Sequence, residues 1–335
     1  MKHSIYTGLL AAALAVLLPL LICGMGEAAP ATGQESSGAA EAPAAPAPSD
    51  RKIREFVVHE AGEEETPFSD ESCTLTVTVQ GTPEKMTLRN YLTGVLMGEM
   101  PAEFEPEALK AQAVAARTYT LRRLNQGGEL SDDPAVCQAY LPLDAAPEKL
   151  GEQWEALLEK LRQAVEDTDG QVLTYEGQLI SATYFSGSGG RTESAQAVWG
   201  SDVPYLQSVE SPGEEDSADY AASTFVPMED FLTALDIGTP GVGEATYTTG
   251  GGVDTISIGG KTFTGLELRK LFGLRSTRFT ITVTQEGVEF QTLGYGHRVG
   301  LSQRGAQAMA QAGHTYAEIL SWYYTGVTLE QYEGK

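Results

Sequence analysis

The stretch YLTGVLMGEMP, Tyr91–Pro101, combines an apolar helical pattern with a carboxylate near its end. Thr87 is of the residue type that caps helix N-termini. Because the residue before a proline avoids the helical region, the helix is predicted to end at Glu99 or Met100. The apolar side chains that recur at the spacing of one helix face are Leu88, Tyr91, Leu92, Val95 and Leu96.

Glu99 lies about three helical turns after Leu88 and therefore on the apolar face. Burial and the negative end of the helix dipole both disfavour its charge, so we expect a raised pKa. A carboxyl group with a raised pKa can donate a proton near neutral pH. The alternative is a capped or ion-paired helix end. The neighbouring acids open the next helix, where they favour the positive end of its dipole: Glu103, Glu105 and Glu107.

The composition limits the class of partner. The 335 residues include 22 Lys and Arg against 46 Asp and Glu, a formal net charge of −24. Such an acidic surface disfavours nucleic acid and anionic lipid as main partners. It is compatible with an uncharged or zwitterionic polymer, or with a basic protein.

The N-terminus predicts an exported protein. Lys2 and His3 precede an apolar run long enough to span a bilayer, so residues 1–26 are interpreted as an uncleaved signal anchor, with a cleaved signal as the alternative. Residues 27–52 are rich in Pro, Ala and Ser and predict a disordered tether. Residues 53–335 then form the extracytoplasmic domain.

The pattern of that domain predicts an α+β fold of mixed helices and antiparallel strands. A strand is expected over Thr74–Gln80, a second helix from Pro106, and a hairpin turn at Glu176 and Gly177. Near the end, one helix starts after Ser302. Another starts with a capping box formed by Thr315 and Glu318.

Four stretches contain most of the residues suited to chemistry: GEMPAEFEPEALKAQAVAARTY (98–119), TYFSGSGGRTESAQAVWG (183–200), PYLQSVESPGEE (204–215) and GYGHRVGLSQRGAQAMA (294–310). In their order and spacing they resemble the SpoIID/LytB family, and the resemblance extends over roughly residues 75–329. It implies a fold unlike that of lysozyme. It also implies a lytic transglycosylase that acts on peptidoglycan during engulfment in sporulation.

By this resemblance Glu99 is the catalytic acid. It cleaves the bond between N-acetylmuramic acid and N-acetylglucosamine in peptide-stripped glycan strands and leaves 1,6-anhydro ends. The implied partners are these strands and a membrane-anchored amidase/endopeptidase. Because the LytB branch is described as amidase enhancers, the alternative is a non-catalytic glycan-binding protein that stimulates an amidase. A serine hydrolase is disfavoured because no Gly-x-Ser-x-Gly elbow is present.

Substrate-binding roles are predicted for a glycine-rich loop and for residues near the last stretch: Ser186, Ser188, Gly189, Gly190, Arg191, His297, Arg298 and Gln303. Glycine lets backbone amides approach a sugar, and a guanidinium can hold a carboxyl or acetyl oxygen. The alternatives are a tight turn with Arg191 paired to Glu193, and a structural hydrogen bond for His297. The family more often has Thr at the position of Gly187.

No metal and no cofactor are predicted. Some relatives bind zinc around the segment LSDDPAVCQAY, but this chain has Ser131 and Val136 at the corresponding ligand positions and keeps only Cys137. A structural zinc site needs about four ligands. Cys73 and Cys137 could form a disulfide or remain free thiols, and the sequence does not decide between these.

Overall fold

Helix α1 has the bounds that the sequence predicts. In the computed structural model, which describes residues 67–217 and 220–334, α1 spans Leu88–Glu99. The Thr87 hydroxyl caps it by accepting a hydrogen bond from the Asn90 N–H at 3.3 Å. Met100 is already extended, with φ −127°, ahead of Pro101. The cap and the proline thus fix both ends of the helix that carries Glu99.

The segments predicted for residues 1–26 and 27–52 lie outside the described residues, so the anchor and the tether stay predictions. None of the helices in the described ranges is both long and apolar enough to cross a bilayer.

The other helices are α2 Pro106–Asn125, α3 Ala146–Leu150, α4 Trp154–Glu166, α5 Ala195–Trp199, α6 Met228–Leu235, α7 Gly265–Phe272, α8 Gln303–Gln311 and α9 Tyr316–Tyr323. The strands are β1 Thr74–Val79, β2 Thr82–Thr87, β3 Leu130–Ser131, β4 Gln171–Tyr175, β5 Gln178–Leu179, β6 Tyr184–Phe185, β7 Ala221–Pro227, β8 Val242–Tyr247, β9 Val253–Ile258, β10 Lys261–Thr264, β11 Phe279–Val283, β12 Gly287–Leu293, β13 Leu301–Ser302 and β14 Thr328–Gln331.

The strands form several small sheets, with the orders β2-β1-β3, β14-β4-β5, β13-β6, β10-β9-β8 and β11-β12-β7. Pairing is antiparallel except between β1 and β3 and between β6 and β13. The predicted α+β class is confirmed. The predicted hairpin turn is also present, since Glu176 and Gly177 both have positive φ, 50° and 73°, the conformation of a tight two-residue hairpin loop.

Helix α2 is buried on nearly all sides. One face, which includes Leu109 and Thr120, is inaccessible to solvent. Residues on other faces, such as Gln112, are inaccessible too, because α2 packs against α1, α4, α8, α9 and β4. A helix enclosed in this way shows little amphipathic pattern, and its many alanines allow the close packing.

Two glycines of α1 allow a peptide segment to cross the helix at close range. A Cβ on Gly94 would lie 2.4 Å from the Tyr140 ring, and a Cβ on Gly98 would lie 3.0 Å from the Ala139 carbonyl oxygen. The Leu141 N–H donates to the Gly94 carbonyl oxygen at 3.2 Å. The segment 137–141, which follows a turn-rich stretch of sequence, is therefore held against the helix end that carries Glu99.

Among residues 67–217 and 220–334, the buried apolar side chains form two separate clusters. The main core surrounds α1 and α2. The second core lies among β7–β12, α6 and α7, where Phe231 and Phe272 stack at 5.4 Å between ring centroids and Phe279 meets Phe290 edge-on at 5.6 Å. The domain predicted for residues 53–335 thus contains two cores.

A buried ion pair fastens the start of the described chain to the main core. The Arg117 Nε donates to Asp70 Oδ1 at 2.8 Å, and neither side chain is exposed by more than 1%. The same guanidinium donates to the carbonyl oxygens of Gln171 and Val165, both at 3.1 Å. These bonds satisfy the charge that burial would otherwise make costly.

Both cysteines in the described part of the chain are free thiols, with Cys73 half-buried and Cys137 buried. The Cys137 thiol lies 3.5 Å from the Glu129 carbonyl oxygen. The described residues include no group of three or more His, Cys, Asp or Glu side chains that could hold a metal ion.

Candidate active site

The Glu99 carboxyl group lies at the end of α1 among neutral hydrogen-bond donors. Its Oε1 accepts from the Ala139 N–H at 2.7 Å and lies 3.3 Å from the Tyr184 hydroxyl. The Gln303 side chain also hydrogen-bonds it. These contacts fix the carboxyl group, but none of them supplies a charge that would hold it ionised.

Burial raises the pKa of Glu99 from 4.5 to about 7. The three hydrogen bonds act in the opposite direction and only reduce the effect. The predicted direction is confirmed, and desolvation is the cause that dominates. At neutral pH a large fraction of Glu99 is therefore protonated, as a proton donor requires.

Tyr184 connects Glu99 to a buried chain of amides and hydroxyls. Its hydroxyl donates to Gln138 Oε1 at 2.8 Å, and the Gln138 amide donates to the Thr120 hydroxyl at 2.9 Å. Thr120 in turn donates to the Ala116 carbonyl oxygen at 2.8 Å. The single phenolic proton is thus shared between Gln138, at the shorter distance, and Glu99.

His297 is half-buried and lies next to the strand that carries Tyr184. Its Nδ1 accepts from the Val299 N–H at 3.1 Å, and the ring is hydrogen-bonded to the backbone of Tyr184. Burial, followed by the nearby Arg269, lowers the pKa of His297 to about 3. The imidazole is thus neutral at physiological pH and supports the strand that carries Tyr184, as in the alternative structural interpretation.

Two adjacent residues at the start of α8, Ser302 and Gln303, contact different carboxyl groups. The Ser302 hydroxyl caps the helix by accepting from the Gly305 N–H at 3.2 Å and donates to Glu214 Oε1 at 2.5 Å. Gln303 points to Glu99 and donates to Gln112 Oε1 at 3.4 Å. Among the predicted binding residues, Gln303 is thus the one that hydrogen-bonds the Glu99 carboxyl group.

The glycine-rich loop is organised around a second buried carboxylate, Glu214, which is 2% exposed. Its Oε2 accepts from the N–H groups of Ser188 and Gly189 at 2.7 and 3.0 Å. Its Oε1 accepts from the hydroxyls of Ser188 and Ser211 at 2.9 and 2.5 Å. The Ser188 hydroxyl is thus occupied inside the protein, whereas half-buried Ser186 lines a small recess beside the loop.

The arginines of this region do not form the Arg191–Glu193 pair of the alternative interpretation. Glu193 binds Arg298 at 3.3 Å, both being buried, whereas Arg191 reaches Glu210 at 3.4 Å. The proposed Arg191–Glu193 pair is therefore absent. Arg298 itself has φ 67°, a conformation that non-glycine residues adopt rarely, and its guanidinium binds the loop carbonyl oxygens.

The predicted residues fall into two groups. Glu99, Gln303 and, through Tyr184, His297 form the first; the glycine-rich loop and Arg298 form the second. Sequence reasoning missed Tyr184, Gln138 and Glu214. Tyr184 and Glu214 lie within stretches already selected, 183–200 and 204–215, while Gln138 directly follows Cys137. Their polar side chains, within the selected stretches or next to Cys137, could have identified them from the sequence.

Comparison with known proteins shows the family to which the chain belongs. The family model SpoIID, described as "Stage II sporulation protein", matches residues 78–175, which include Glu99 and the segment 137–141. The chain is 39% identical over 259 residues to stage II sporulation protein D of Bacillus subtilis (strain 168), covering 74% of this chain and 76% of that protein. The chain belongs to the SpoIID family. This confirms the family that the motifs predict.

Two further relatives of this SpoIID-family chain are informative. Stage II sporulation protein D of Bacillus amyloliquefaciens is 39% identical over 259 residues, covering 74% of this chain and 75% of that protein. A protein of Bacillus subtilis (strain 168) named amidase enhancer is 32% identical over 299 residues, covering 72% of this chain but 40% of that protein. The relatives thus include sporulation proteins and a protein named for its effect on an amidase.

Proposed function

We propose that the protein is a lytic transglycosylase of peptidoglycan that acts during engulfment in sporulation. The observation that carries the proposal is the position of Glu99, a half-buried carboxyl group at a helix end whose pKa is raised to about 7. Such a group can protonate a leaving oxygen at neutral pH. Membership of the SpoIID family supports the assignment to sporulation.

In the proposed reaction, Glu99 gives its proton to the glycosidic oxygen between N-acetylmuramic acid and N-acetylglucosamine. Positive charge develops at C1 of the muramyl residue as the bond breaks. The 6-hydroxyl of the same sugar then attacks C1, and the Glu99 carboxylate takes up the hydroxyl proton. The products are a 1,6-anhydro-muramyl end and a free sugar end, and no water is consumed.

The neutral surroundings of Glu99 suit this reaction. A glycosidase that uses water normally needs two carboxyl groups, about 5–10 Å apart according to mechanism. Here the groups that hydrogen-bond Glu99 come from Ala139, Tyr184 and Gln303, and none is an acid. An internal nucleophile makes a second acid unnecessary and benefits from its proximity to C1.

The proposal includes location and partners. Residues 1–26 would anchor the protein in the cell membrane, and residues 27–52 would tether the catalytic domain on the extracytoplasmic side. The substrate would be glycan strands already stripped of peptides by a membrane-anchored amidase/endopeptidase. The net charge of −24 disfavours a nucleic acid as substrate.

The test is mass spectrometry of the products released from amidase-treated peptidoglycan by the wild-type domain and by Glu99→Gln. Glutamine keeps the shape of the side chain but has no acidic proton to transfer. Anhydro-disaccharides from the wild type and not from the variant would support the proposal. Their absence from both reactions, with both proteins still bound to the glycan, would overturn it.

The second candidate is a non-catalytic glycan-binding enhancer of a cell-wall amidase. It is favoured by the 32% identity to a protein named amidase enhancer. On this hypothesis Glu99→Gln would stimulate a partner amidase as well as the wild type does. An amidase assay with both proteins therefore separates the two functions.

A further inference from the structure

A polar cavity of about 330 Å³ lies beside the glycine-rich loop, and Glu99 is not among the residues that line it. One wall is formed by residues 189–191, the facing wall by residues 249–251, and Arg278 and Tyr220 close the space between them. Its volume is within the range of small-molecule sites, about 300–1,000 Å³. The cavity thus has room for a sugar-sized ligand.

Buried and part-buried hydrogen bonds hold the two walls in place. The Arg298 guanidinium donates to the Arg191 carbonyl oxygen at 2.9 Å and to the Gly250 carbonyl oxygen at 2.5 Å. Arg278 donates to the Gly189 carbonyl oxygen at 2.5 Å. Walls that are tied together before a ligand arrives lower the ordering cost of binding.

The glycines in both walls keep the cavity open. Gly190 has φ 102° and Gly251 has φ 77°, which side chains rarely tolerate. A Cβ on Gly190 would meet the Tyr220 hydroxyl at 3.4 Å, and a Cβ on Gly251 would meet Arg278 Nε at 3.6 Å, so both would extend toward residues that line the cavity. The walls therefore present bare backbone to whatever occupies the cavity.

The lining carries an excess of positive charge in an otherwise acidic protein. Arg191 is paired at 3.4 Å with Glu210, whose side chain is 74% exposed. Arg278 lies in the cavity wall and forms no ion pair with any described residue. Behind the wall, Arg298 is balanced by Glu193. The described lining thus has one net positive charge, which matches a monoanion.

We infer that this cavity binds a carboxylate carried by a sugar, with Arg278 as the principal contact. A guanidinium presents a planar fork that fits a carboxylate, and Tyr220 and Pro212 offer surfaces for a sugar ring. The inference rests on the proposed function, under which the ligand is the lactyl carboxylate of N-acetylmuramic acid. An attached peptide converts that carboxylate to an amide and removes its charge.

The test measures binding to the full chain by isothermal titration calorimetry. The probes are N-acetylmuramic acid and its lactyl methylamide, which differ only in the charged group. We expect the amide to bind at least about tenfold more weakly, since a charge-assisted hydrogen bond is lost. Equal affinity of the two probes for the wild type would overturn the inference without any variant.

Arg278→Gln removes the charge from the protein, as the methylamide removes it from the ligand. It should weaken binding of N-acetylmuramic acid at least about tenfold and leave binding of the methylamide nearly unchanged. The control is Arg162→Gln, which removes the same charge from a side chain of α4 that is 42% exposed. Full affinity in Arg278→Gln would contradict the inference, and circular dichroism would verify that the variant is folded.

Experiments can refute the proposed reaction and the proposed carboxylate site separately. Glu99→Gln should retain the affinity difference between the probes, because Glu99 lies outside the cavity lining. If that difference is present while the wild type releases no anhydro-sugars, the carboxylate site stands and the proposed reaction fails. If anhydro-sugars are released while the difference is absent, the reaction stands and the carboxylate site fails.

Discussion

Glu99 is half-buried and Glu214 is buried, and the groups that surround them differ. Glu214 accepts five hydrogen bonds from the backbone and hydroxyls of three segments, the glycine-rich loop, Ser211 and Ser302. Glu99 has one close backbone donor, from Ala139, and two neutral side-chain neighbours. Glu214 thus joins three segments of the fold, whereas Glu99 has few donors to offset the burial that raises its pKa.

The largest expected effect is on catalysis. Glu99→Gln should lower the rate of glycan cleavage by at least about 100-fold, the lower end of what a general acid contributes, while the variant stays folded. The measurement is the initial rate of anhydro-sugar release. Glu103→Gln is the control, because Glu103 is exposed just beyond Pro101. Equal losses in both variants would contradict a special role for Glu99.

Glu214→Gln should act on stability instead. The amide has one acceptor oxygen where the carboxylate has two, so either the two N–H groups or the three hydroxyls that bind Glu214 lose their acceptor, and each buried donor left unpaired costs about 2 kcal/mol. We expect the free energy of unfolding to fall by about 4 kcal/mol in urea denaturation. The adjacent Glu215 is exposed, so Glu215→Gln should change the stability little. A Glu214→Gln protein as stable as the wild type would show that these bonds are dispensable.

The raised pKa of Glu99 predicts a pH-dependent difference in stability between the wild type and Glu99→Gln. Between pH 4.5 and about 7 the native Glu99 holds a proton that the unfolded chain has lost, so the wild type becomes less stable as pH rises. The glutamine side chain of the variant does not titrate. Relative to the wild type, the variant should gain up to about 3 kcal/mol between pH 4 and pH 8. Parallel stability curves in urea denaturation would rule out the raised pKa.

The smallest effect is expected for Tyr184→Phe. Loss of the hydroxyl removes a hydrogen bond that lowers the pKa of Glu99, so the alkaline decline of activity should move to higher pH. Stability should fall by about 1 kcal/mol, the usual value for one hydrogen bond. Tyr316→Phe is the control, since the Tyr316 hydroxyl also donates to a glutamine, Gln171, at 3.0 Å. A pH–rate profile of Tyr184→Phe identical to the wild type would remove Tyr184 from the site.

The predictions that depend on neighbouring residues were the accurate ones. The bounds of α1, the caps of α8 and α9 and the turn at Glu176 depend on residues a few positions apart. The inward position of Glu99 follows from the same helical periodicity. Short-range rules were therefore sufficient to find the proposed acid and the direction of its pKa shift.

The surroundings of Glu99 could not be predicted in this way. Its partners Ala139, Tyr184 and Gln303 lie 40 to about 200 positions away in the chain, and tertiary packing alone brings them together. The same applies to the charge pairs. Sequence proximity favoured Arg191 with Glu193, but the fold gives each a partner from another segment.

The buried pair of Asp70 and Arg117 has a mechanical consequence. Tension applied to the chain ahead of Asp70 enters the fold at the middle of α2 rather than at the edge of β1. The guanidinium passes this load to the Val165 carbonyl at the end of α4 and the Gln171 carbonyl of β4. Several hydrogen bonds must then break together and not one after another. The domain therefore resists being pulled from its N-terminal side and does not peel apart strand by strand.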